Sequence, residues 1–182
     1  DITDSKQAQT EIRYLASHDP LTGAANRSAL TQALQDALRV SERAGTAGMV
    51  LMLDLDGFKA LNETAGHQAG DEVLRQTVAR MRAMLKSGDT VARHGDDTFV
   101  LVMQTETALE PATRDHATTF AQHLLAALAR PSTIGGQALH TSACIGIALF
   151  MGMRESADEL LKQADMALSQ AKQAGPGSLR MY

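Results

Sequence analysis

The stretch MVLMLDLD, residues 49–56, constrains the fold more than any other part of the chain. It is a short and continuous apolar run that ends in two alternating acids, Asp54 and Asp56. A run this short and apolar predicts a central strand that is buried on both faces. Because successive side chains of a strand point to opposite faces, we expect Asp54 and Asp56 on one face and Leu55 on the other.

Helical and strand patterns alternate along the rest of the chain. This alternation, with hairpins at two places, predicts an α+β fold in which helices cover the faces of a sheet. We predict helices at 1–17 (N-cap Thr3 or Asp4), 26–43 (N-cap Asn26), 58–63, 71–86, 112–130 and 156–174, a loop at 66–70, strands at 89–94, 98–104, 138–150 and 178–182, and a hairpin turn at Gly135-Gly136.

Composition excludes several classes of protein. The length of 182 residues fits one domain with short appendages, and the net charge of −4 without a basic run argues against a general nucleic-acid binder. The one cysteine, Cys144, allows no disulfide within the chain, which indicates a reducing compartment. No apolar run approaches a membrane span and no signal peptide opens the chain, so we expect a soluble segment without membrane contact.

The stretch RHGDDTFVLV, residues 93–102, predicts two strands joined by a tight turn, with Asp96 and Asp97 at the bend. If this hairpin pairs beside the apolar strand, the two acids come close to Asp54. Neighbouring carboxylates repel each other unless a cation neutralises them, and Mg²⁺ prefers a few carboxylates together with phosphate oxygens and waters. The residues therefore predict a magnesium–nucleotide site.

Three more residues suit a nucleotide. Lys59 could add a positive charge to a phosphate, while Asn62 and Asp71 carry the amide and the carboxylate that a guanine edge needs. A simpler interpretation also stays open, since acids at strand ends and turns are often only solvated.

The blocks HDPLTGAANR (18–27), LDLDGFKALNETAGHQAGDEVL (53–74), DTVARHGDDTF (89–99), SACIGIAL (142–149) and ADMALSQAK (164–172) resemble those of the GGDEF domain. This diguanylate cyclase module makes cyclic di-GMP from two GTP. The resemblance covers Leu15 to Tyr182 and implies a ferredoxin-like nucleotidyl-cyclase palm, whose central and mainly antiparallel sheet is flanked by helices. Residues 1–17 resemble the linker helix that follows a PAS sensor, and residues 18–182 the GGDEF domain itself.

The family's site residues can be carried over by position. The resemblance implies that Asp54, the Leu55 carbonyl and Asp97 would hold the metal, with Asp97 also the proposed general base. The remaining positions would bind the nucleotide: Asn62 and Asp71 would read guanine, His67 would lie at its edge, and Lys59, the amides around Phe58, and Lys172 would hold phosphates.

The signature itself departs from the family pattern R-x-G-G-[D/E]-E-F, because Asp96 stands at the second glycine and Thr98 at the second acid. Asp96 adds bulk and a negative charge where backbone should approach a phosphate, and Thr98 removes a carboxylate. A counter-interpretation is that Asp96 replaces the lost acid, since positions two and four of a regular strand share a face.

Two further positions depart. The family's inhibitory product site, R-x-x-D, is Lys86-Ser-Gly-Asp89 here, and lysine lacks the planar fork of arginine. A family basic residue falls on Pro176.

We therefore expect a degenerate, catalytically inactive GGDEF domain that binds GTP weakly with Mg²⁺, or dimerises, as a regulatory module of a cytoplasmic bacterial PAS–GGDEF–EAL protein. The process controlled would be of the kind such proteins regulate, such as motility or biofilm formation. One alternative is an active diguanylate cyclase with a non-standard signature, for which two GTP-loaded domains must face each other. Another is a structural interaction domain that binds no nucleotide.

Overall fold

Six helices and seven strands follow one another in the computed structural model, which describes residues 1–182. The helices are α1 (Ile2–Leu15), α2 (Arg27–Ala44), α3 (Phe58–Ala65), α4 (His67–Met84), α5 (Glu110–Leu128) and α6 (Ala157–Ala174). The strands are β1 (Ala47–Leu55), β2 (Thr90–Arg93), β3 (Thr98–Gln104), β4 (Ser132–Ile134), β5 (Gln137–Leu139), β6 (Ala143–Met151) and β7 (Leu179–Met181).

Strand β1 is the centre of a five-stranded sheet with the order β2-β3-β1-β6-β7. It pairs antiparallel with β3 and β6, and every one of its residues is buried, as its apolar sequence predicts. Only β6 and β7 are parallel, because α6 connects them as a crossover. Strands β4 and β5 form a separate hairpin. The predicted α+β fold, a mainly antiparallel sheet flanked by helices, is confirmed.

The alternation of side chains along β1 divides the core into two apolar clusters, one on each face of the sheet. Leu51 and Leu53 belong to the cluster that includes side chains of α4 and α5. Val50 and Met52 belong to the cluster that includes side chains of α2 and α6. A strand buried on both faces has no solvated side, which is why its sequence is an unbroken apolar run.

Three details of the predicted elements are wrong. Helix α1 is capped by the side chain of Asp1, which accepts a hydrogen bond from the Thr3 amide, so the cap lies earlier than Thr3 or Asp4. The predicted loop at 66–70 is a single residue, Gly66, because α4 already begins at His67. Gly66 has a φ of 90° and lies between α3 and α4. The predicted strand 138–150 is two strands in two different sheets, β5 and β6.

Helix α1 differs from the other five because none of its residues is buried. Its large apolar side chains are exposed, among them Ile12 and Leu15. None of the six helices combines the length and the apolar character that crossing a lipid bilayer requires.

Candidate functional site

A cleft of about 390 Å³ lies between the start of α3 and α4 and the turn that joins β2 to β3. Most of the residues predicted to bind a nucleotide line it together. Its lining consists of Phe58, Lys59, Asn62, His67, Asp71, Leu74, Arg93, Asp96 and Asp97. The sequence blocks that supply these residues lie far apart in the chain and meet here because β1 and β3 are neighbours in the sheet.

The start of α3 suits an anion. Gly57 precedes the helix with a φ of 64°, and no side chain caps the first turn. The first amides of an uncapped helix point along its axis and carry a partial positive charge, which favours a phosphate. Lys59 lies in this first turn and is exposed, so its ammonium group can reach a bound anion.

A second group of charged residues centres on Asp54, which is buried near the end of β1. The Thr98 hydroxyl donates a 2.5 Å hydrogen bond to one carboxylate oxygen of Asp54, and the Lys172 ammonium forms an ion pair with the other. Thr98 is directly opposite Asp54 in the pairing of β1 with β3. Neither Asp54 nor Lys172 lines the cleft; they are connected to it electrostatically through Asp97.

The ionisation of this group follows from its burial and its charges. Burial, together with the negative charge of Asp54, raises the pKa of Asp97 above its ordinary value, although Lys172 acts in the opposite direction. Burial alone would lower the pKa of Lys172, but the hydrogen bond and charge of Asp54 outweigh it, so that the pKa is raised. The site therefore carries more negative charge than its lysine neutralises.

The donor atoms at this position suit a hard cation. The carboxylates of Asp54 and Asp97 and the carbonyl of Leu55 are the oxygen ligands that Mg²⁺ prefers. The chain does not, however, bring three metal-ligating His, Cys, Asp or Glu side chains together. Residues of this type fit Mg²⁺ only as part of a set completed by phosphate oxygens and waters, as is usual for magnesium–nucleotide sites.

The turn between β2 and β3 is held by arginines from outside it. Arg27 donates a 2.6 Å hydrogen bond to the carbonyl of His94. Arg93 donates to the carbonyls of Gly95 and Asp96, at 3.2 and 2.8 Å. Three consecutive carbonyls of the turn thus accept hydrogen bonds from two guanidinium groups at positions other than 96 and 98, and the amides of His94 and Gly95 donate to the Thr98 carbonyl.

Arg93 is anchored in turn by Asp19, which precedes α2. The ion pair measures 3.3 Å, and the two side chains are only 18% and 16% exposed. Asp19 also accepts hydrogen bonds from the amide and the hydroxyl of Thr22. Burial alone would raise the pKa of Asp19, but the Thr22 hydrogen bonds and the Arg93 charge outweigh it and lower the pKa.

Asp19→Asn is expected to reduce the free energy of unfolding at neutral pH by about 1.5–3 kcal/mol, because it leaves the largely buried Arg93 side chain without its anion. The folded-state pKa of Asp19 is lowered, so its contribution is present above the unfolded-state pKa and is lost as pH falls through the folded-state value. Urea unfolding measured from pH 7 down to pH 3 should show a shallower pH dependence in the variant. Asp36→Asn, which breaks the exposed Asp36–Arg39 pair, is the control with almost no expected effect. Equal losses in both variants would contradict this role of Asp19.

The two departures from the family signature have different structural consequences. Asp96 is exposed in the bend before β3 begins, so the alternation of a regular strand does not extend to it and does not place it in the position of the lost acid. Thr98 is the first residue of β3 and donates to Asp54 instead of offering a second carboxylate. Asp96 thus adds negative charge at the cleft, and the Thr98 hydroxyl occupies a lone pair of Asp54, the predicted metal ligand.

Lys86 and Asp89, the positions of the inhibitory motif, lie away from the cleft and border a separate depression of about 660 Å³. The Asp89 carboxylate accepts a 3.0 Å hydrogen bond from the Lys86 amide and so closes its own turn. The Lys86 side chain has no ion-pair partner.

Sequence reasoning assigned no role to Asp19, Arg27 or Asp56. The Asp56 carboxylate accepts hydrogen bonds from Ser142, Cys144 and the Gly177 amide, and so ties the end of β1 to the loop after α6. The sequence could have indicated a role for Asp56, because Asp56 alternates with Asp54 and so lies on the same face. No sequence pattern could have indicated the roles of Asp19 and Arg27, since their partners, Arg93 and His94, are 74 and 67 residues away in the chain.

Comparisons with known proteins agree with the fold and show the family. The family described as "Diguanylate cyclase, GGDEF domain" matches residues 16–178. The bifunctional diguanylate cyclase/cyclic di-GMP phosphodiesterase MucR of Pseudomonas aeruginosa is 39% identical over 173 residues, which are 95% of this chain and 24% of that protein.

Two solved structures are similar over most of the chain. A sensory box/GGDEF family protein from Caulobacter crescentus has a TM-score of 0.80 and 35% identity, covering 87% of this chain and 99% of that one. The coiled coil and GGDEF domain of DgcB from Caulobacter crescentus, in complex with c-di-GMP, has a TM-score of 0.86 and 25% identity, covering 100% and 93%. The chain spans about a quarter of the length of the curated relatives it matches. With a family match over residues 16–178 and a similar fold in the solved GGDEF structures, this chain belongs to the GGDEF domain family of cyclic di-GMP signalling.

Proposed function

We propose that this domain is a catalytically inactive GGDEF domain that binds GTP and acts as a regulatory module within a larger signalling protein. The observation that carries the proposal is the contrast between the two parts of the site. The cleft keeps the residues suited to guanine and phosphate, Asn62, Asp71 and Lys59, while Asp96 and Thr98 alter the part that would perform chemistry. Binding needs fewer groups than turnover, so nucleotide recognition can persist after catalysis is lost.

Magnesium belongs to this proposal as a cation brought with the nucleotide. Asp54 and Asp97 would hold it together with phosphate oxygens, and the Lys172 ammonium would then be free to contact a phosphate. The excess negative charge around Asp97 supports such a cation. The second glycine of the signature is replaced by Asp96, whose charge opposes the approach of a phosphate, so we expect the affinity to be low.

Neighbouring domains and a second copy of the chain are the partners we propose. Among the relatives, MucR is named as bifunctional cyclase and phosphodiesterase, and NbdA as a cyclic di-GMP phosphodiesterase. An upstream PAS sensor and a downstream EAL domain, in a cytoplasmic protein that controls motility or biofilm formation, fit this pattern. The exposed apolar side chains of α1 support a helical linker that pairs with its counterpart in a homodimer.

The proposal predicts that the purified domain binds GTP with Mg²⁺ and that Asn62→Ala weakens this binding about tenfold to hundredfold, because one edge of the base loses its hydrogen bonds. Isothermal titration calorimetry measures both affinities. Gln35→Ala, an exposed substitution on α2 outside the cleft, is the matched control and should bind like the wild type.

The alternatives give different outcomes in the same assays. A structural interaction domain would show no heat of GTP binding in either the wild type or Asn62→Ala. An active cyclase would form cyclic di-GMP from Mg²⁺ and GTP, and Asp97→Ala would abolish that formation.

A further inference from the structure

Gly70 is a glycine whose presence the backbone does not explain. It is buried in the first turns of α4, and its φ is not in the left-handed region where glycine is favoured. Glycine in a helix is less stable than alanine at the same place, because the unfolded chain loses more freedom. A reason for the missing side chain has to be sought in what surrounds it.

The surroundings of Gly70 leave no room for a methyl group. A Cβ atom there would lie 1.7 Å from Oδ1 of Asn62, 2.9 Å from its Cγ and 3.3 Å from Cζ of Phe58. The amide of Asn62 therefore packs directly on the backbone of Gly70, with its oxygen facing an α hydrogen. Such Cα–H···O contacts are weak but oriented.

This packing fixes which end of the amide the ligand meets. Oδ1 of Asn62 is buried and has no hydrogen-bond partner. Asn62 nevertheless lines the cleft, so its Nδ2 is the polar atom left for a ligand. An amide nitrogen is a hydrogen-bond donor only, and it can therefore donate to a carbonyl oxygen but not to an amino group.

We propose that Gly70 is a positioning residue that selects 6-oxopurines over 6-aminopurines by holding the Asn62 amide with its donor end toward the cleft. Both purines present an acceptor at N7, but at position 6 guanine presents the acceptor O6 where adenine presents an amino group. This inference rests on the proposed GTP binding and adds to it the device that sets base selectivity. The side chain of Asp71, next in the chain, lines the same cleft and would meet the opposite part of the base edge.

The test compares four proteins by calorimetry with GTP and with ATP, each with Mg²⁺: wild type, Gly70→Ala, Asn62→Ala and the double variant. Gly70→Ala is expected to weaken GTP binding about tenfold to hundredfold and to leave ATP binding unchanged. In the double variant, Gly70→Ala should add nothing to the effect of Asn62→Ala, because both substitutions remove the same contact. A residue with only a structural role would lower the affinity for both nucleotides alike.

Three other outcomes are possible, and each decides the inference. If the wild type binds GTP and Gly70→Ala binds it equally well, or if the two substitutions act additively, Gly70 does not position Asn62, and the proposed function stands. If the wild type binds neither nucleotide, the proposed function and this inference fail together. If Gly70→Ala does not fold, the double variant with Asn62→Ala decides. We expect the double variant to fold, because the amide that would clash with the added methyl group is gone. A double variant that is also unfolded would exclude the contact with Asn62 as the reason for the glycine.

Discussion

Restoring the family signature by Asp96→Gly together with Thr98→Glu is expected to give formation of cyclic di-GMP roughly tenfold to thousandfold above any residual formation by the wild type. The contribution of position 96 follows from removing a repulsion of about 1–4 kcal/mol between unit charges about 4 Å apart. Asp96 is exposed, so solvent screening places its own share toward the low end. The larger gain should come from position 98, where a carboxylate would replace the hydroxyl that now donates to Asp54.

The measurement is product formation from GTP and Mg²⁺ by the wild type, both single variants and the double variant, at a protein concentration that allows two domains to meet. Adding Asp97→Ala to the restored protein should abolish any gained turnover, which assigns the activity to this site. Turnover by the unmodified protein, lost on Asp97→Ala, would show instead that the domain is an active cyclase with a non-standard signature.

The largest effect on stability is expected from Gly146→Ala, which should lower the free energy of unfolding by about 3 kcal/mol. A Cβ at this position in β6 would lie 2.2 Å from both the Ala164 carbonyl oxygen and the Leu168 amide nitrogen of α6. Both obstacles are helix backbone, so relief requires α6 to move away from the sheet. For a domain of this size the loss corresponds to a decrease in Tm of roughly 6–12 °C.

Gly48→Ala is the matched comparison. Gly48 is also a buried strand glycine, in β1, and a Cβ there would lie 2.2 Å from Cζ of Phe150. The obstacle in this case is a side-chain ring that can turn, so we expect a smaller loss than at Gly146. Thermal unfolding of the two variants tests the argument, and an equal or larger loss at Gly48 would contradict it.

Sequence patterns were sufficient where a local signal, such as an apolar run or a capping residue, determines the element. The apolar run of β1 predicted a central strand, and Asn26 does accept a hydrogen bond from the Ala29 amide as the predicted cap of α2. The return strand was predicted as one because the sequence is apolar on both sides of the break at 140–142. Only the pairing of β6 with β1 shows that the two pieces belong to different sheets.

The candidate site likewise has a part that the sequence predicted and a part that it did not. Residues that the family resemblance supplied by position, such as Asn62 and Asp71, do line one cleft. The contacts that organise it, Asp19 with Arg93 and Gly70 with Asn62, depend on the distance between atoms in the folded chain. No local pattern of charge or hydrophobicity signals them, so they could not be predicted from the sequence.

The hold of Arg27 and Arg93 on three backbone carbonyls has a consequence for how such a domain can evolve. Since the loop between β2 and β3 takes its conformation from guanidinium groups outside the substituted positions, mutations at 96 and 98 can accumulate without unfolding it. A domain of this fold can in this way change the side chains that would perform its reaction while the loop that carries them keeps its conformation. For the same reason we expect the proposed loss of activity to be reversible by the two substitutions Asp96→Gly and Thr98→Glu, since neither side chain holds the loop.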